Sequence, residues 1–467
     1  MHLLAIGGSD AGISAALRAR ELDPTCEVTV VVSDSYPNFS ICGIPYYVSG
    51  EVPRWQNLAH RTVADLEATG MNLLLDTKAR AVKPEDRKVV LVRDGGEEHI
   101  SYDVLVFGTG ALPLRPPIEG VSGPGSLGVE DGVHLLHSMG DTFELVTSLE
   151  KGARSVVIVG AGYIGLEMAE GLTRRGLSVT QIEQLPEVLP TVDAELGALI
   201  GTELENHGVE VVRDTIVRAI RRAGDKSRGE LIVESESRSG YRAFSTDLVL
   251  VVTGVRPDTD LAAATGIELG AKRAIAVDRY MRTNVPGIFA AGDCATTYHR
   301  LLGDTYLPLG TTAHKQGRIA AENALGGDKE FEGSLGTQVV RVFDAVAARA
   351  GLRDEEAIAA GFSPFTVASE ADDHKAYYPG AEKIAMHYCG DSKTGRFLGL
   401  QLVGRLGTEV AKRIDVAATA IFNEMRVDQV SDLDLSYSPP LGSPWDALQI
   451  GAQAWERARV PLGSETS

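Results

Sequence analysis

The sequence predicts an α/β fold with two βαβ units, followed by a separate α+β region. Residues 3–21, LLAIGGSDAGISAALRARE, precede the apolar stretch EVTVVVSD at 27–34, and residues 155–176, SVVIVGAGYIGLEMAEGLTRRG, precede SVTQIE at 178–183. Each pair contains an apolar strand, a glycine turn, a helix with small residues on one face, and a second apolar strand. That order is typical of a βαβ unit, and two such units in one chain indicate two dinucleotide sites.

Composition places the chain among globular proteins of two to four domains. It has 467 residues, 44% of them hydrophobic, and no apolar run near the roughly 20 residues that a membrane helix needs. The start, MHLLAIGG, predicts a buried strand and not a secretion signal. The formal charge of −19 disfavours nucleic acid and anionic membranes as partners. We therefore expect a cytoplasmic protein.

The second glycine turn has a complete G-x-G-x-x-G fingerprint at Gly160, Gly162 and Gly165. The first glycine permits a tight turn, the second lets a pyrophosphate approach the backbone, and the third lets helix and strand pack closely. The helix N-terminus adds N–H donors for the phosphates. Glu183 ends the next strand, where an acid binds the adenosine ribose, and no Arg directly follows it. This favours NADH over NADPH.

The first glycine turn has an incomplete fingerprint. Gly7 and Gly12 fit, whereas Ser9 occupies the middle position beside Gly8. The nearest carboxylate after the second strand is Asp34, which we predict to bind the ribose. A packing turn without a ligand is the alternative for either unit.

Two further segments favour a ligand at the first unit. YDVLVFGTGALP at 102–113 is a strand that runs into a T-G turn, and TNVPGIFAAGDCA at 283–295 is a strand that ends at Gly292 and Asp293. An acid at the carboxyl end of a strand can hydrogen-bond cofactor hydroxyls in the crevice of the sheet. A helix N-cap is the alternative role for Asp293.

After residue 330 the glycine fingerprints stop. Strand-like stretches at 383–389 and 396–404 and a helical stretch at 408–425 predict a separate α+β domain.

These ordered motifs resemble the flavoprotein pyridine nucleotide–disulfide oxidoreductases, specifically their single-cysteine branch. That branch contains coenzyme A-disulfide reductase, NADH oxidase, NADH peroxidase and persulfide or polysulfide reductase. The resemblance covers nearly the whole chain, through SICGIPYY, the T-G turn, GAGYIGLEMAE, VTGVRP, FAAGDC, PLGTTAHKQGRIAAEN and DLSYSPPLGSPWD.

The resemblance implies two Rossmann-like dinucleotide-binding domains, for FAD and NAD(P)H, and a C-terminal α+β dimerisation domain. The implied segments are 1–115 and 248–326 for FAD, 116–247 for NAD(P)H, and 331–467 for dimerisation. Tyr163 resembles the aromatic gate that covers the flavin until nicotinamide displaces it, although apolar filling of the turn is an alternative. The implied cofactor contacts are Gly7, Gly8, Ser9, Ala11, Gly12, Asp34, Thr109, Gly110, Gly160, Gly162, Tyr163, Ile164, Gly165, Glu183, Gly254, Gly292, Asp293, Leu309, Gly310, Thr312 and Ala313.

The four cysteines, Cys26, Cys42, Cys294 and Cys389, lie far apart and show no CxxC or Cys/His ligand spacing, so no metal site is predicted. The resemblance places Cys42 at a helix start facing the flavin, where the helix N-terminus favours the thiolate. Cys42 has no CxxxxC partner, so an internal disulfide cannot form. The second sulfur of a disulfide must come from a small thiol, or Cys42 must be oxidised by an oxygen atom to a sulfenate. A buried inert cysteine is the alternative for Cys42, and we interpret the other three as structural.

Other residues bear on the choice of branch. Oxidases and peroxidases of the family usually carry His where this chain has Asp10, and an ionised carboxylate would repel a sulfenate. Tyr437, together with Tyr377 or Tyr378, resembles the tyrosine pair that coenzyme A-disulfide reductase supplies from the opposite subunit, although interface packing is the alternative.

Two departures from the family pattern qualify this choice. The family tends to carry a cluster of basic residues in the first helix for the coenzyme's phosphates. Here Arg18 and Arg20 are followed by Glu21, so one expected positive residue is negative. His314 stands where Asn is more usual, and a structural role is favoured over proton donation.

The sequence therefore predicts a homodimeric enzyme that passes hydride from NADH to FAD and then reduces a small-molecule disulfide, such as coenzyme A disulfide, through Cys42. The alternatives are an NADH oxidase that uses oxygen, a persulfide or polysulfide reductase, and a non-catalytic redox sensor.

Overall fold

The computed structural model describes residues 1–224 and 230–459. The chain divides into two compact units. The first unit contains Met1–Leu114, Leu136–Glu144 and Gly254–Ser334, and the second contains Arg115–Leu135, Leu145–Thr253 and the chain from Leu335 onward.

The strands of the described residues are, in chain order, β1 (His2–Ile6), β2 (Glu27–Val31), β3 (Asn72–Leu74), β4 (Lys78–Lys83), β5 (Lys88–Arg93), β6 (Gly96–Ser101), β7 (Val104–Phe107), β8 (Ala111–Pro113), β9 (Val133–Leu135), β10 (Ser155–Val159), β11 (Ser178–Ile182), β12 (Glu210–Val212), β13 (Thr215–Arg222), β14 (Leu231–Ser237), β15 (Gly240–Thr246), β16 (Leu248–Val251), β17 (Val255–Pro257), β18 (Ile288–Ala290), β19 (Thr297–His299), β20 (Gly303–Thr305), β21 (Gln338–Val342), β22 (Ala345–Gly351), β23 (Pro364–Asp372), β24 (Lys383–Asp391) and β25 (Phe397–Arg405).

The helices are α1 (Asp10–Leu22), α2 (Ile44–Ser49), α3 (Val63–Glu67), α4 (Met139–Glu150), α5 (Tyr163–Arg174), α6 (Ala194–Asn206), α7 (Asp260–Ala263), α8 (Gly310–Ala324), α9 (Asp354–Ala359), α10 (Val410–Phe422), α11 (Val427–Ser431) and α12 (Ala447–Ala458). Within the two described ranges, none of them has the length and apolar character needed to cross a lipid bilayer.

The first unit is built on a parallel sheet with the order β18-β7-β1-β2-β3. Strand β1 is apolar and buried on both faces, as a central parallel strand must be. Leu3 and Ala5 enter one hydrophobic core, and Leu4 and Ile6 enter the other. The strand order reverses beside β1, so a crevice for a ligand is expected at its carboxyl end, where α1 begins. The antiparallel sheet β4-β5-β6 belongs to the same unit.

Small residues on α1 let α8 approach closely. Ala15, Ala16 and Ala19 are fully buried. A Cβ placed on Gly317 of α8 would lie 2.2 Å from the main-chain oxygen of Ala11. The small face that the sequence shows on this helix is therefore a helix-packing surface, and it fixes both helices beside the glycine turn.

The second unit contains two larger sheets. The parallel sheet β12-β11-β10-β16-β9 repeats the βαβ arrangement of the first unit, and the antiparallel sheet β21-β22-β25-β24-β23 forms the C-terminal part with α10 and α12. A smaller antiparallel sheet has the order β13-β14-β15. The predicted fold class, two Rossmann-like units and an α+β region, is confirmed.

Candidate active site

The first glycine turn connects β1 to α1 through contacts that exclude side chains. Gly7 has φ +118°, and a Cβ there would lie 1.9 Å from the main-chain oxygen of Gly108. A Cβ on Gly12 would lie 1.9 Å from the oxygen of Gly7, and one on Gly8 would lie 2.6 Å from Val32 Cγ1. The turn can therefore form only with glycines at these places. It leaves the first main-chain N–H groups of α1 at the end of the crevice, where phosphates bind.

Asp293 follows β18 at the same end of the sheet, and no helix begins at this residue among those described. The atom Asp293 Oδ1 is buried and accepts no hydrogen bond from the described residues. Burial, and secondarily the charge of Asp10, raises the pKa of Asp293 to about 6. A buried acceptor without a donor indicates a missing ligand. Hydroxyl groups, such as those of the FAD ribityl and ribose chains, fit this acceptor.

Other predicted contacts surround this crevice in the first unit. The hydroxyl of Thr109 donates to the main-chain oxygen of Asp258 at 2.6 Å, and Gly110 accepts from Asp258 N–H at 3.0 Å. Leu309 is the N-cap of α8, and Gly310, Thr312 and Ala313 form its first turn. Ala11 and Ala313 both approach Gly292. Gly254 has φ +115°, a conformation that favours glycine. Asp34 accepts the main-chain N–H of Tyr36 at 2.8 Å and is partly exposed, so it retains capacity to accept a ribose hydroxyl.

The second glycine turn connects β10 to α5. A Cβ on Gly160 would lie 2.7 Å from the oxygen of Val252, and one on Gly165 would lie 2.2 Å from the oxygen of Gly160. A Cβ on Gly162 would meet no described atom within 4 Å. Open space above Gly162 fits the close approach of a pyrophosphate. Ile164, predicted as a cofactor contact, lies partly buried in the first turn of α5.

Glu183 follows β11 and is 5% exposed. Its Oε2 accepts the main-chain N–H of Ala161 at 2.7 Å, and its Oε1 accepts that of Leu185 at 3.0 Å. These bonds hold the carboxylate beside the glycine turn. Each carboxylate oxygen can accept a further bond, so the position suits the adenosine ribose of NADH.

Tyr163, the predicted gate, is the first residue of α5. Its phenolic oxygen accepts a hydrogen bond from the Thr191 hydroxyl at 3.2 Å, and burial raises the pKa of Tyr163. Among residues 1–224 and 230–459, the Thr191 hydroxyl is the one hydrogen-bond partner of the phenol at the tip of the ring. Its role as a gate remains a prediction.

Cys42 lies in a short 3-10 turn, Ile41–Gly43, directly before α2, and its side chain is exposed. The preceding segment is tied to the first glycine turn, because Asn38 N–H donates to the oxygen of Gly8 at 2.7 Å. Asn38 and Ser40 also pair with the segment around Leu58 and His60. Cys42 is therefore not buried, contrary to the alternative interpretation, and its redox role remains a prediction.

The other three cysteines differ from Cys42. Cys26, Cys294 and Cys389 are buried, and burial raises the pKa of each thiol, to about 12 for Cys389. A thiol that stays protonated is a poor nucleophile. Their environment fits the structural role predicted for them.

Asp10 pairs with His314, which sequence reasoning missed. The two residues lie on different helices, and Nε2 of His314 is 3.4 Å from Asp10 Oδ1. Nδ1 of the same ring is 2.9 Å from the Ser14 hydroxyl. Burial raises the pKa of Asp10, although the charges of His314 and His60 oppose the shift. Because Ser14 and His314 are 300 residues apart, no local spacing signals this cluster.

Tyr377, Tyr378 and Tyr437, the three tyrosines predicted for the site, are exposed, and two of them form a pair. A hydrogen bond with Tyr377 raises the pKa of Tyr437. Tyr378 instead packs edge-on against His374, with ring centroids 5.7 Å apart. The structure therefore brings Tyr377, and not Tyr378, to Tyr437.

The basic residues of α1 are engaged in internal contacts. Arg18 forms ion pairs with Glu322 at 2.6 Å and with Glu21 at 3.0 Å. Arg20 donates to the main-chain oxygens of Cys26 and Thr69. The charge of Arg18 is therefore balanced by acids, and the guanidinium of Arg20 is held by main-chain acceptors within the unit.

Comparison with known proteins agrees with this geometry. Residues 1–317 match the family model described as pyridine nucleotide-disulphide oxidoreductase, and residues 337–447 match its dimerisation domain. A Pyrococcus furiosus protein named NAD(P)H sulfur oxidoreductase (CoA-dependent) is 33% identical over 451 residues, which cover 96% of this chain and 97% of that protein. A Methanocaldococcus jannaschii protein named NADH oxidase is 31% identical over 97% of this chain and 98% of its own.

Among solved structures, an NAD-dependent persulfide reductase from A. fulgidus is 37% identical, with a TM-score of 0.91. The match covers 98% of this chain and 83% of that one. The chain therefore belongs to the pyridine nucleotide–disulphide oxidoreductase family and is an NAD(P)H-dependent flavoprotein oxidoreductase that uses FAD.

Proposed function

We propose that the protein uses NADH to reduce a small-molecule disulfide, such as coenzyme A disulfide, through Cys42. One observation carries this proposal. Of the four cysteines, all within the described part of the chain, Cys42 alone is exposed, and its segment is hydrogen-bonded to the first glycine turn. The other thiols are buried and held in the protonated form.

The overall reaction converts NADH, a proton and a disulfide RSSR into NAD⁺ and two thiols RSH. FAD, when bound, accepts hydride from NADH and supplies the two electrons that cleave a disulfide. The Cys42 thiolate attacks RSSR, so that a bond forms between Cys42 and one sulfur and the other sulfur leaves as a thiolate. Reduction of that mixed disulfide releases the second thiol and regenerates Cys42.

Each unit contributes a nucleotide site in this proposal. In the first unit the glycine turn receives the FAD pyrophosphate, and Asp293 accepts hydrogen bonds from FAD hydroxyls. In the second unit the turn at Gly160–Gly165 receives the NADH pyrophosphate, and Glu183 accepts from the ribose. No basic residue directly follows Glu183 to pair with a 2′-phosphate, which favours NADH over NADPH.

We further propose that Tyr377 and Tyr437 donate the proton to the leaving thiolate from the opposite subunit of a homodimer. The dimerisation domain of the family supports this assembly. The hydrogen bond between the phenols keeps the pKa of Tyr437 above its ordinary value, so that the group remains protonated until it donates. Replacement of Tyr437 or Tyr377 by Phe should lower kcat for disulfide reduction about 100-fold. Tyr378→Phe is the matched control, and a loss of the same size in this control would contradict the assignment.

We infer that the acceptor is selected by the reactivity of its sulfur towards Cys42 more than by binding of a coenzyme phosphate to the first helix. Arg18 and Arg20 are occupied, so the first helix offers no obvious cation for the coenzyme. A persulfide is the second candidate acceptor, because two relatives are named sulfur oxidoreductase and persulfide reductase. It would react with the same Cys42 thiolate. Cytoplasmic action fits an exposed thiol that must be reduced after each turnover.

An anaerobic assay separates the candidates. We expect NADH consumption that depends on the added disulfide and yields two thiols per NADH. NADH consumption that requires oxygen would support the oxidase alternative, which the Methanocaldococcus relative represents. Turnover too slow for a flavoenzyme with every acceptor would support a redox sensor. Cys26→Ala, which removes a buried thiol, is the control for variants at Cys42.

A further inference from the structure

Three potential metal ligands meet in the first unit, although their spacing in the sequence predicts no metal site. A carboxylate oxygen of Asp10 and ring nitrogens of His60 and His314 all lie within 4.8 Å of one another. Asp10 begins α1, His60 lies in the loop before α3, and His314 lies in the first turns of α8. The tertiary fold, and no local motif, assembles this set.

His314 is oriented as a metal ligand usually is. Its Nδ1 is 2.9 Å from the Ser14 hydroxyl, and its Nε2 points at the Asp10 carboxylate at 3.4 Å. Metal-bound histidines typically donate the proton of the second ring nitrogen to a polar group, which fixes the ring. In the tautomer that donates to Ser14, the Nε2 lone pair faces a carboxylate oxygen. Two acceptors then face each other, and a cation between them removes the repulsion.

The cluster is accessible and carries no internal cation. His60 is exposed, and the side chains of His314 and Asp10 are 45% and 25% exposed. No Lys or Arg ion pair with Asp10 occurs among the described residues. A second His-carboxylate cluster, at Glu203, His207 and Asp344, differs because Arg405 forms ion pairs with Glu203 at 3.1 Å and with Asp344 at 3.2 Å. That second cluster already holds the guanidinium of Arg405, which would repel a metal ion, and it serves as an internal control.

We propose that Asp10, His60 and His314 bind one divalent transition-metal ion in the holoenzyme, with water completing its coordination. Two imidazoles and one carboxylate suit Zn²⁺, Co²⁺, Ni²⁺ or Fe²⁺, and they do not suit Mg²⁺ or Ca²⁺, which prefer oxygen ligands. Asp10 directly precedes Ala11, which approaches Gly292 beside Asp293, so the bound ion would lie near the FAD-binding crevice. This site is independent of the proposed choice of disulfide.

The test is calorimetric titration of the FAD-loaded protein with Zn²⁺ in excess Mg²⁺. We expect one Zn²⁺ per chain in the wild type. His60→Gln, His314→Gln and Asp10→Asn should each weaken binding at least about 10-fold, whereas His207→Gln should leave it unchanged. Flavin content and melting temperature of each variant establish that the fold is retained.

A parallel titration of Cys42→Ser holoenzyme excludes the thiol as the principal ligand. Persistence of the one-to-one binding in Cys42→Ser supports the proposal. Loss of Zn²⁺ binding in Cys42→Ser, together with retained binding in His60→Gln, would overturn the proposal. Absence of stoichiometric Zn²⁺ binding in the wild type would also overturn it, and so would equal weakening of binding by His207→Gln. If any of these three contradicting results is observed, the contact between Asp10 and His314 is explained by a shared proton and not by a metal site.

Discussion

In the first unit Ser9 caps α1 with φ −98° and ψ −158°, and in the second unit Gly162 caps α5 with φ −78° and ψ −171°. The two residues occupy the same position of the fingerprint and share the same extended backbone conformation. Neither angle pair needs glycine. The incomplete motif of the first turn is therefore no structural defect.

The flanking glycines differ from this middle position. Gly7 and Gly12 in the first unit, and Gly160 and Gly165 in the second, are all enclosed by main-chain oxygens at 1.9 to 2.7 Å from a hypothetical Cβ. Of the five glycines at these fingerprint positions, Gly162 alone has no described atom within 4 Å of a hypothetical Cβ. Close main-chain contacts dictate the first and third glycines, whereas the backbone of the middle position tolerates a small side chain. A serine at the middle position is therefore compatible with a dinucleotide site.

The largest expected effect distinguishes these two classes of glycine. Gly12→Ala should lower the free energy of unfolding by about 3 kcal/mol or more, because its Cβ would overlap the oxygen of Gly7 and neither backbone segment can move freely. Gly162→Ala should lower it by no more than about 1 kcal/mol, because alanine is a poorer helix N-cap than glycine. Chemical denaturation and flavin content measure both. Equal stability of the two variants would break the comparison.

The next effect concerns Asp293, whose buried Oδ1 accepts no hydrogen bond from the described residues, whereas the carboxylate of Glu183 beside the second turn accepts two. Without FAD its pKa is raised to about 6, and hydroxyl donors of FAD would stabilise the ionised form and lower it. FAD binding then releases a proton below pH 6, so FAD affinity should rise about 10-fold between pH 5 and pH 7.

Fluorescence titration of the apoprotein measures this affinity at each pH. Asp293→Asn cannot ionise and should bind FAD with little pH dependence over the same interval. An undiminished pH dependence in Asp293→Asn would assign the titration to another group, such as Asp10.

The ligand-facing glycine should affect NADH and not FAD. Gly162→Ala places a methyl group where the pyrophosphate approaches, and we expect KM for NADH to rise about fivefold, equivalent to about 1 kcal/mol. Flavin content should stay at the wild-type level. Steady-state assays at varied NADH concentration provide the measurement, and an unchanged KM would refute the ligand-based explanation of this glycine.

The smallest effect is expected at Ser9. Ser9→Gly restores the full fingerprint, but Ser and Gly differ by only a few tenths of a kcal/mol as helix N-caps. FAD affinity should therefore change by less than about threefold. A large gain would show that the Ser9 side chain obstructs the cofactor and that the first turn is less suited to it than the second.

Much of the fold could be predicted because its signals are local. Apolar runs followed by glycine turns predicted β1, β10 and their helices, and the C-terminal strands β24 and β25 and helix α10 lie where hydrophobic patterning indicated. The antiparallel sheets β4-β5-β6 and β13-β14-β15 were not anticipated, because their strands are partly exposed and remote from any fingerprint. The exact borders of the four proposed segments remain predictions.

The candidate site was predictable only where a residue follows a recognisable turn or strand. Asp293 belongs to this class, whereas the interpretation of Cys42 depended on the resemblance of SICGIPYY to the family. The choice between Tyr377 and Tyr378 depended on which ring reaches Tyr437, a tertiary contact that adjacent positions do not reveal. From the sequence, Asp10 was interpreted as an isolated carboxylate. The fold places the imidazole of His314 against it.

The central claim is that Cys42 stores electrons between FAD and the acceptor. Anaerobic reductive titration of the FAD-loaded protein, first treated with the disulfide, tests it directly. Wild-type protein should consume two equivalents of NADH per FAD and release one thiol, and Cys42→Ser should consume one equivalent and release none. Two equivalents and a released thiol in Cys42→Ser would contradict the account.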